Sequence, residues 1–339
     1  MARLSEEPDV VLQNQLERFA HQRGDGETPM AMVECQGLRK VYRDLVAVND
    51  LSLSIGEGEI FGFIGPNGAG KTTTIKMLVT LLRPDAGTAL VDGKCVIREQ
   101  EEVRKVIGYM PDFFGVYDDI KVWEYLDFFA TAYRIERHRR PQIIDDVLAL
   151  TDLTIKKEAF VEELSRGMKQ RLCLAKTLVH DPKVLFLDEP ASGLDPRARV
   201  EIRELLKELR NLGKTIFISS HILSELADFV TQVGIIEQGR LVVSGSVDDI
   251  TAQLQPFKRV TVRVAGDTAP VVEVLQQVPG VRNIESEPNE VRFEFEGEDG
   301  GFAGILPALV SRGCQVTGFG EQEASLEEIF MRVTRGAVA

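Results

Sequence analysis

The segment Gly65-Pro66-Asn67-Gly68-Ala69-Gly70-Lys71-Thr72 fits the pattern G-x-x-x-x-G-K-[ST]. It constrains the fold more than any other feature of the chain, because such a turn works only between a buried strand and the start of a helix. The flanks comply. Glu59–Ile64 is a compact apolar run that reads as a strand, and Thr72–Leu82 reads as a helix stopped by Arg83-Pro84. Strand, glycine-rich turn and helix together imply an α/β domain that places ligands at the carboxyl ends of its strands.

The chemistry of the turn follows from its residues. Gly65, Gly68 and Gly70 let backbone N–H groups turn inward around phosphate oxygens, with Pro66, Asn67 and Ala69 completing the loop. The helix beginning beside Lys71 adds the positive end of its dipole. Lys71 supplies a point charge for β- and γ-phosphates, Thr72 offers a hydroxyl to Mg²⁺, and Thr73 continues the phosphate-facing helical turn. The bare pattern arises by chance in on the order of one percent of chains this long. The correct flanking elements make a chance glycine turn a poor explanation.

A second strand signal, Val184-Leu185-Phe186-Leu187, ends in Asp188-Glu189. Carboxylates at the end of a buried strand are costly unless a cation or another partner meets them. Asp188 fits a magnesium role, and Glu189 then faces the γ-phosphate as a base polarising a water. The competing reading, a surface acidic turn after a core strand, loses weight once the phosphate loop is admitted.

The 339 residues suggest two folded units and a short extension. Residues 1–29 are polar and acidic, with one short helix expected near Val10–Phe19. Strands are expected at Val33–Leu38 and Ala47–Ile55, a mostly helical stretch from Val122 to Leu164, a strand at Thr215–Ser219 and a helix at Arg197–Asn211. A hairpin of Val233–Glu237 and Arg240–Val243 closes this unit near residue 250. From residue 256 to 339 a smaller module follows. Its strands are Arg259–Val264, Val281–Glu285, Glu290–Glu296 and Gln315–Gly318, with helices at Pro270–Val278 and Phe302–Arg312, an order that is ferredoxin-like. A last helix is expected at about Ser325–Val333.

Composition narrows the partners. The 40 Lys and Arg against 53 Asp and Glu leave a formal charge of −13, which argues against nucleic acid and against a polybasic membrane anchor. No apolar run approaches the roughly 18 residues of a membrane span, and the N-terminus lacks the basic flank and apolar run of a signal peptide. Cys35, Cys95, Cys173 and Cys314 are scattered without metal-ligand spacing and read as reduced thiols. The cationic run Arg134–Arg140 (RIERHRR) reads as a solvated helix end before Pro141, with membrane or partner contact as the alternative.

Three further motifs complete an ordered set. Leu164-Ser165-Arg166-Gly167-Met168-Lys169-Gln170-Arg171 precedes the acidic strand, Ser192-Gly193-Leu194-Asp195-Pro196 follows it, and Ser219-Ser220-His221 ends the next strand. With Tyr42 upstream, this order resembles the ATP-binding subunit of ABC transporters from about residue 32 to 250. The resemblance implies a P-loop ATPase core (30–250) with a helical subdomain at about 115–180. It implies that Tyr42 stacks on adenine, that Ser165, Gly167 and Met168 face the γ-phosphate held by another subunit, and that Asp195 lies in the loop between the two sites. Two copies, or a copy and a paralogue, then sandwich two ATP head to tail, with Lys71, Glu189 and His221 catalytic. Ser165 is also a natural N-cap, so its hydroxyl and the neighbouring N–H groups form an anion site. A lone histidine after a strand is usually structural; the position of His221 in this set reverses that reading.

Two departures stand out. The family usually has Gln after its Tyr-x-Pro turn, whereas this chain has Tyr109-Met110-Pro111-Asp112. Asp112 retains an oxygen for Mg²⁺ but loses the amide donor. Arg166 and Met168 replace the usual Gly and Gln, while Gly167 is kept. Phe113, Phe114, Trp123 and Tyr125 are either core or part of a groove for a membrane subunit. The tail Ser325-Leu326-Glu327-Glu328-Ile329-Phe330 resembles the end of ATPase subunits serving ABC-2-type exporters, although an amphipathic core helix has the same pattern. The function implied is an ATP-hydrolysing subunit, using ATP and Mg²⁺, that powers a separate transmembrane permease from the cytoplasmic face of the membrane. The alternative is a soluble ABC ATPase without a transport partner.

Overall fold

A computed structural model describes residues 31–113, 115, 119–222, 226, 228–247, 249–250, 257–297 and 299–322. The expected helices at Val10–Phe19 and Ser325–Val333, Phe114 and the tail motif Ser325–Phe330 lie outside these residues. The chain divides into two compact units, Met1–Val247 and Asp248–Ala339.

The first unit is built on two sheets. One is antiparallel, in the order β2-β1-β4-β5, from β1 (Val33–Tyr42), β2 (Leu45–Ile55), β4 (Ala86–Val91) and β5 (Lys94–Cys95). The other runs β10-β9-β3-β8-β7-β6, from β3 (Ile60–Ile64), β6 (Ile107–Met110), β7 (Val184–Asp188), β8 (Thr215–Ser220), β9 (Gln232–Glu237) and β10 (Arg240–Ser246). All its pairings are parallel except β9 with β10. Strands β3, β7 and β8 are buried along their whole length, as a sheet covered on both faces requires. Phe61, Phe63, Phe186 and Phe217 pack with ring centroids 5.2–6.3 Å apart. Ile75, Met77 and Leu78 of helix α1 (Lys71–Leu78) join them in one core with both sheets.

Sequence and structure differ at several points. Helix α1 stops at Leu78, not Leu82: Thr80 adopts φ +66°, and the N–H groups of Leu81 and Leu82 both return to the Lys76 carbonyl. The stretch from Val122 to Leu164 is only partly helical. It holds α3 (Val122–Ala132), α4 (Arg140–Leu150) and two single 3₁₀ turns, Thr154–Lys156 and Val161–Glu163. The cationic run is exposed over most of its length, but it links α3 to α4 instead of ending a helix. Pro141 sits in the first turn of α4, where its missing N–H costs nothing, and Arg140 caps the preceding loop by donating to Ile135 O at 2.8 Å. Strands β4, β5 and β6 and helix α2 (Gln100–Val106) have no counterpart in the sequence reading. Helix α5 (Arg166–Leu178) and helix α6 (Pro196–Asn211) lie where the motifs place them.

The second unit comprises β11 (Lys258–Val264), α7 (Ala269–Leu275), β12 (Val281–Glu287), β13 (Glu290–Phe295), α8 (Asp299–Ser311) and β14 (Val316–Gln322). Its sheet is antiparallel throughout, in the order β12-β13-β11-β14, the ferredoxin-like arrangement. Alternate residues Val260, Val262, Val264, Val291, Phe293 and Phe295 are buried together with Val271, Leu275, Ile305 and Leu309 of the two helices. β14 extends to Gln322, beyond the Gly318 expected from sequence.

Candidate nucleotide site

Adjacent parallel strands bring the candidate residues together. In the order β3-β8-β7-β6, each strand ends at the same edge. β3 leads into the glycine loop, β8 into His221, β7 into Asp188-Glu189, and β6 through Pro111 to Asp112. The register sets Asp188 beside Ser219 and Ile64 beside Ser220.

The loop is held from behind. Gly239, in the β9–β10 turn, donates its N–H to Ala69 O at 2.9 Å, and Gly65 donates to Ser220 O at 3.3 Å. A Cβ on Gly65 would stand 2.3 Å from Ile236 O, and one on Gly70 (φ +109°) 2.5 Å from Ala47 O. Both positions therefore require glycine. Pro66, Asn67 and Gly68 lie at the rim, whereas Ala69 is buried beneath it. Thr72 and Thr73 are half-buried in the first turn of α1.

Lys71 is buried, and its ammonium folds back onto Gly65 O at 2.7 Å and Pro66 O at 3.2 Å. It also stands 3.3 Å from Oε1 of Glu189, whose Oε2 is 2.7 Å from Nδ1 of His221. Glu189 holds φ +52°, a left-handed conformation that a non-glycine residue adopts at a cost. Its N–H is anchored on Ser219 Oγ at 3.1 Å. Ser219 in turn donates to Asp188 Oδ1 at 2.6 Å, so one hydroxyl holds the Asp188 carboxylate and the Glu189 backbone. This function of Ser219 escaped the sequence reading, although the Ser-Ser-His motif was the signal that marked it.

Asp188 is 1% exposed, and its Oδ2 has no hydrogen-bond partner among the described residues. Burial raises its pKa above the usual carboxylate range, with Asp112 and Glu189 adding to the shift, while Ser219 and Thr72 oppose it. Tyr109 is pushed up to about 12 by burial and by the carboxylates of Asp188 and Asp112. An orphaned buried carboxylate oxygen beside a threonine hydroxyl and a second carboxylate suits a hard, oxygen-seeking cation such as Mg²⁺. Among the described residues no group of three His, Cys, Asp or Glu forms a self-sufficient metal cluster. That fits a cation whose other ligands come from phosphate and water.

A second group gathers elsewhere on the same unit. Ser165 N-caps α5, accepting the Met168 N–H at 3.3 Å, and Asp195 N-caps α6, accepting the Ala198 N–H at 2.9 Å. Ser165, Gly167, Met168, Gly193 and Asp195 line one cavity of about 390 Å³ with Arg166. Lys71, Glu189 and His221 do not line it. One chain therefore carries two separate groups of candidate residues. Tyr42, at the end of β1, is 44% exposed with the Lys40 ammonium 5.9 Å above its ring.

The ABC transporter family model matches residues 48–192, and the model for the C-terminal domain of DrrA1-3-like ATP-binding proteins matches residues 245–334. The Nod factor export ATP-binding protein I of Burkholderia pseudomallei is 34% identical over 90% of this chain and 97% of its own length. The chain belongs to the ABC transporter ATP-binding proteins. The daunorubicin resistance ATP-binding protein DrrA3 of Streptomyces coeruleorubidus is 32% identical over 89% of this chain and 95% of its own. An ABC transporter ATP-binding protein of Synechocystis sp. is 32% identical over 90% and 85%. A solved ATP-binding subunit of an ABC transporter superposes on 66% of this chain and 92% of its own, with TM-score 0.60 and 29% identity. The ABC ATPase fold, with an added DrrA-like C-terminal domain, is thereby established.

Proposed function

We propose that this protein is the ATP-hydrolysing subunit of an ABC exporter, working from the cytoplasmic face of the membrane on a separate transmembrane permease. The observation that carries the reading is the pairing of Glu189 with both Lys71 and His221 at the mouth of the glycine loop.

In this reading the loop Gly65–Gly70, with Lys71, Thr72 and Thr73, receives the phosphates of ATP, and Tyr42 stacks on adenine. Asp188 and Thr72 would hold Mg²⁺, with Asp112 in the place of the usual glutamine. Bound Mg²⁺ would neutralise charge on the β- and γ-phosphates. Glu189 takes a proton from the attacking water, and His221 holds the Glu189 carboxylate in line and donates to the γ-phosphate. Ser165, Gly167 and Met168 meet the γ-phosphate on a second copy of the chain or a paralogue, so that two ATP molecules close a head-to-tail dimer, with Asp195 between the sites.

Export is supported by relatives named for Nod factor export and daunorubicin resistance. No helix among the described residues is long and apolar enough to cross a membrane, so this reading requires a separate permease. No observation favours the soluble, partner-free alternative. The test is to isolate the tagged full-length chain from detergent-solubilised membranes. A polytopic membrane protein in the complex, stimulating ATP hydrolysis, is expected. A purely soluble assembly would overturn the transport reading.

A further inference from the structure

Helix α5 reaches across to the turn that carries Glu189 through two side chains one helical turn apart. Arg166, its first residue, donates from Nη2 to Ser192 O at 3.3 Å. The guanidinium lies against Gly193 so closely that a Cβ there would stand 2.1 Å from Nη2. Four residues on, Gln170 is 4% exposed and donates from Nε2 to Pro190 O. Positions i and i+4 share a helix face, so both side chains address the same short loop. Pro190 directly follows Glu189, Ser192 comes two residues later, and the Ser192 N–H closes the turn on Glu189 O at 3.0 Å. Residues 189–193 are thus gripped from α5 at two carbonyls.

The N-terminus of the same helix opens on the Ser165 cavity. Of the arginines there, Arg171 pairs with Asp152 and Glu201, and Arg197 with Glu201. Arg166 has no carboxylate within 4 Å among the described residues, so its charge is satisfied only by a neutral carbonyl. A phosphate entering the cavity competes for that guanidinium, because a charge-assisted bond outweighs one to a neutral oxygen.

We infer that Arg166 and Gln170 are positioning residues that link occupancy of the Ser165 cavity to the placement of Glu189 in the same chain. The inference rests on the proposed dimer, in which the partner's ATP fills that cavity. Arg166 then reports the partner's nucleotide to the chain's own base, and Gln170, buried on Pro190, keeps the loop attached to the helix while Arg166 moves. Such coupling between two sites is a free energy and appears as cooperativity in ATP.

The test uses the full-length chain with Arg166→Met and Arg166→Lys. ATP-dependent dimerisation of the parent, followed by sedimentation, comes first. Its absence would remove the dimer reading itself, separately from this inference. With dimerisation present, the parent is expected to hydrolyse ATP with a Hill coefficient above one. Arg166→Met should bring that coefficient to about one and lower kcat about tenfold, with ADP affinity unchanged within about twofold. Lys, which keeps the charge on a single donor nitrogen, should restore much of the cooperativity. Retention of the parental Hill coefficient by Arg166→Met, or equal loss of cooperativity in both variants, would overturn the inference.

Discussion

Lys71 and Glu189 form a buried ion pair, with Nζ 3.3 Å from Oε1 and side chains only 6% and 11% exposed. The same ammonium also meets the carbonyls of Gly65 and Pro66. In the proposed function a triphosphate draws Lys71 from these partners, leaving Glu189 to His221 and the attacking water.

Lys71→Ala removes the charge proposed to meet the β- and γ-phosphates and leaves Glu189 without its cation. Isothermal titration should show Mg-ATP affinity falling by about 10–100-fold, the scale of one charge-assisted contact of about 1.5–3 kcal/mol. Unchanged affinity would contradict the role assigned to Lys71.

Asp188→Asn should stabilise the nucleotide-free protein while abolishing hydrolysis. Burial raises the Asp188 pKa, so the contribution of this carboxyl to stability is full below its unfolded pKa of roughly 4 and is lost as pH rises through the raised folded value. At pH 7 the native state carries a buried charge with one oxygen unpaired, and the amide removes it. Differential scanning calorimetry without nucleotide should show Tm rising by about 2 °C or more at pH 7, with the gain fading as pH is lowered. A lower Tm at pH 7 would contradict this account.

Asp112→Ala should raise the Mg²⁺ concentration needed for half-maximal hydrolysis several-fold, about 1 kcal/mol of lost carboxylate attraction. Titration of ATPase rate against Mg²⁺ checks it. An unaltered Mg²⁺ dependence and turnover would remove Asp112 from the metal site.

The four cysteines should separate by burial. Cys35 is held as a thiol by burial that pushes its pKa up to about 12, and burial also raises that of Cys173. Cys95 is buried and Cys314 partly exposed. Ellman's reagent on the native protein should modify Cys314 first, and the other three only on unfolding. Rapid native modification of Cys35 would contradict the packing of β1.

The grouping of the candidate residues was more legible in the sequence than the scaffold around them. Lys71, Asp188, Glu189 and His221 lie in motifs whose residue types are dictated by phosphate and metal chemistry, and parallel strands β3, β7 and β8 read as continuous apolar runs. Strand β4 and the short α2–β6 segment did not announce themselves: β4 opens with Ala86-Gly87-Thr88, and its pairing with β1 is a long-range event. The end of α1 depended on a left-handed Thr80, which no propensity favours. The joint hold of Ser219 on Asp188 and Glu189, and of Arg166 and Gln170 on the 189–193 turn, arises only when separate elements are brought together.

Glu189 is proposed as the base of an ATP site completed by a second chain. Glu189→Gln, incubated with Mg-ATP and followed by sedimentation velocity and bound-nucleotide analysis, tests it directly. A stable dimer retaining one unhydrolysed ATP per chain is expected, with hydrolysis slowed by about 10²–10⁴-fold. A monomer that turns ATP over at the parental rate would contradict it.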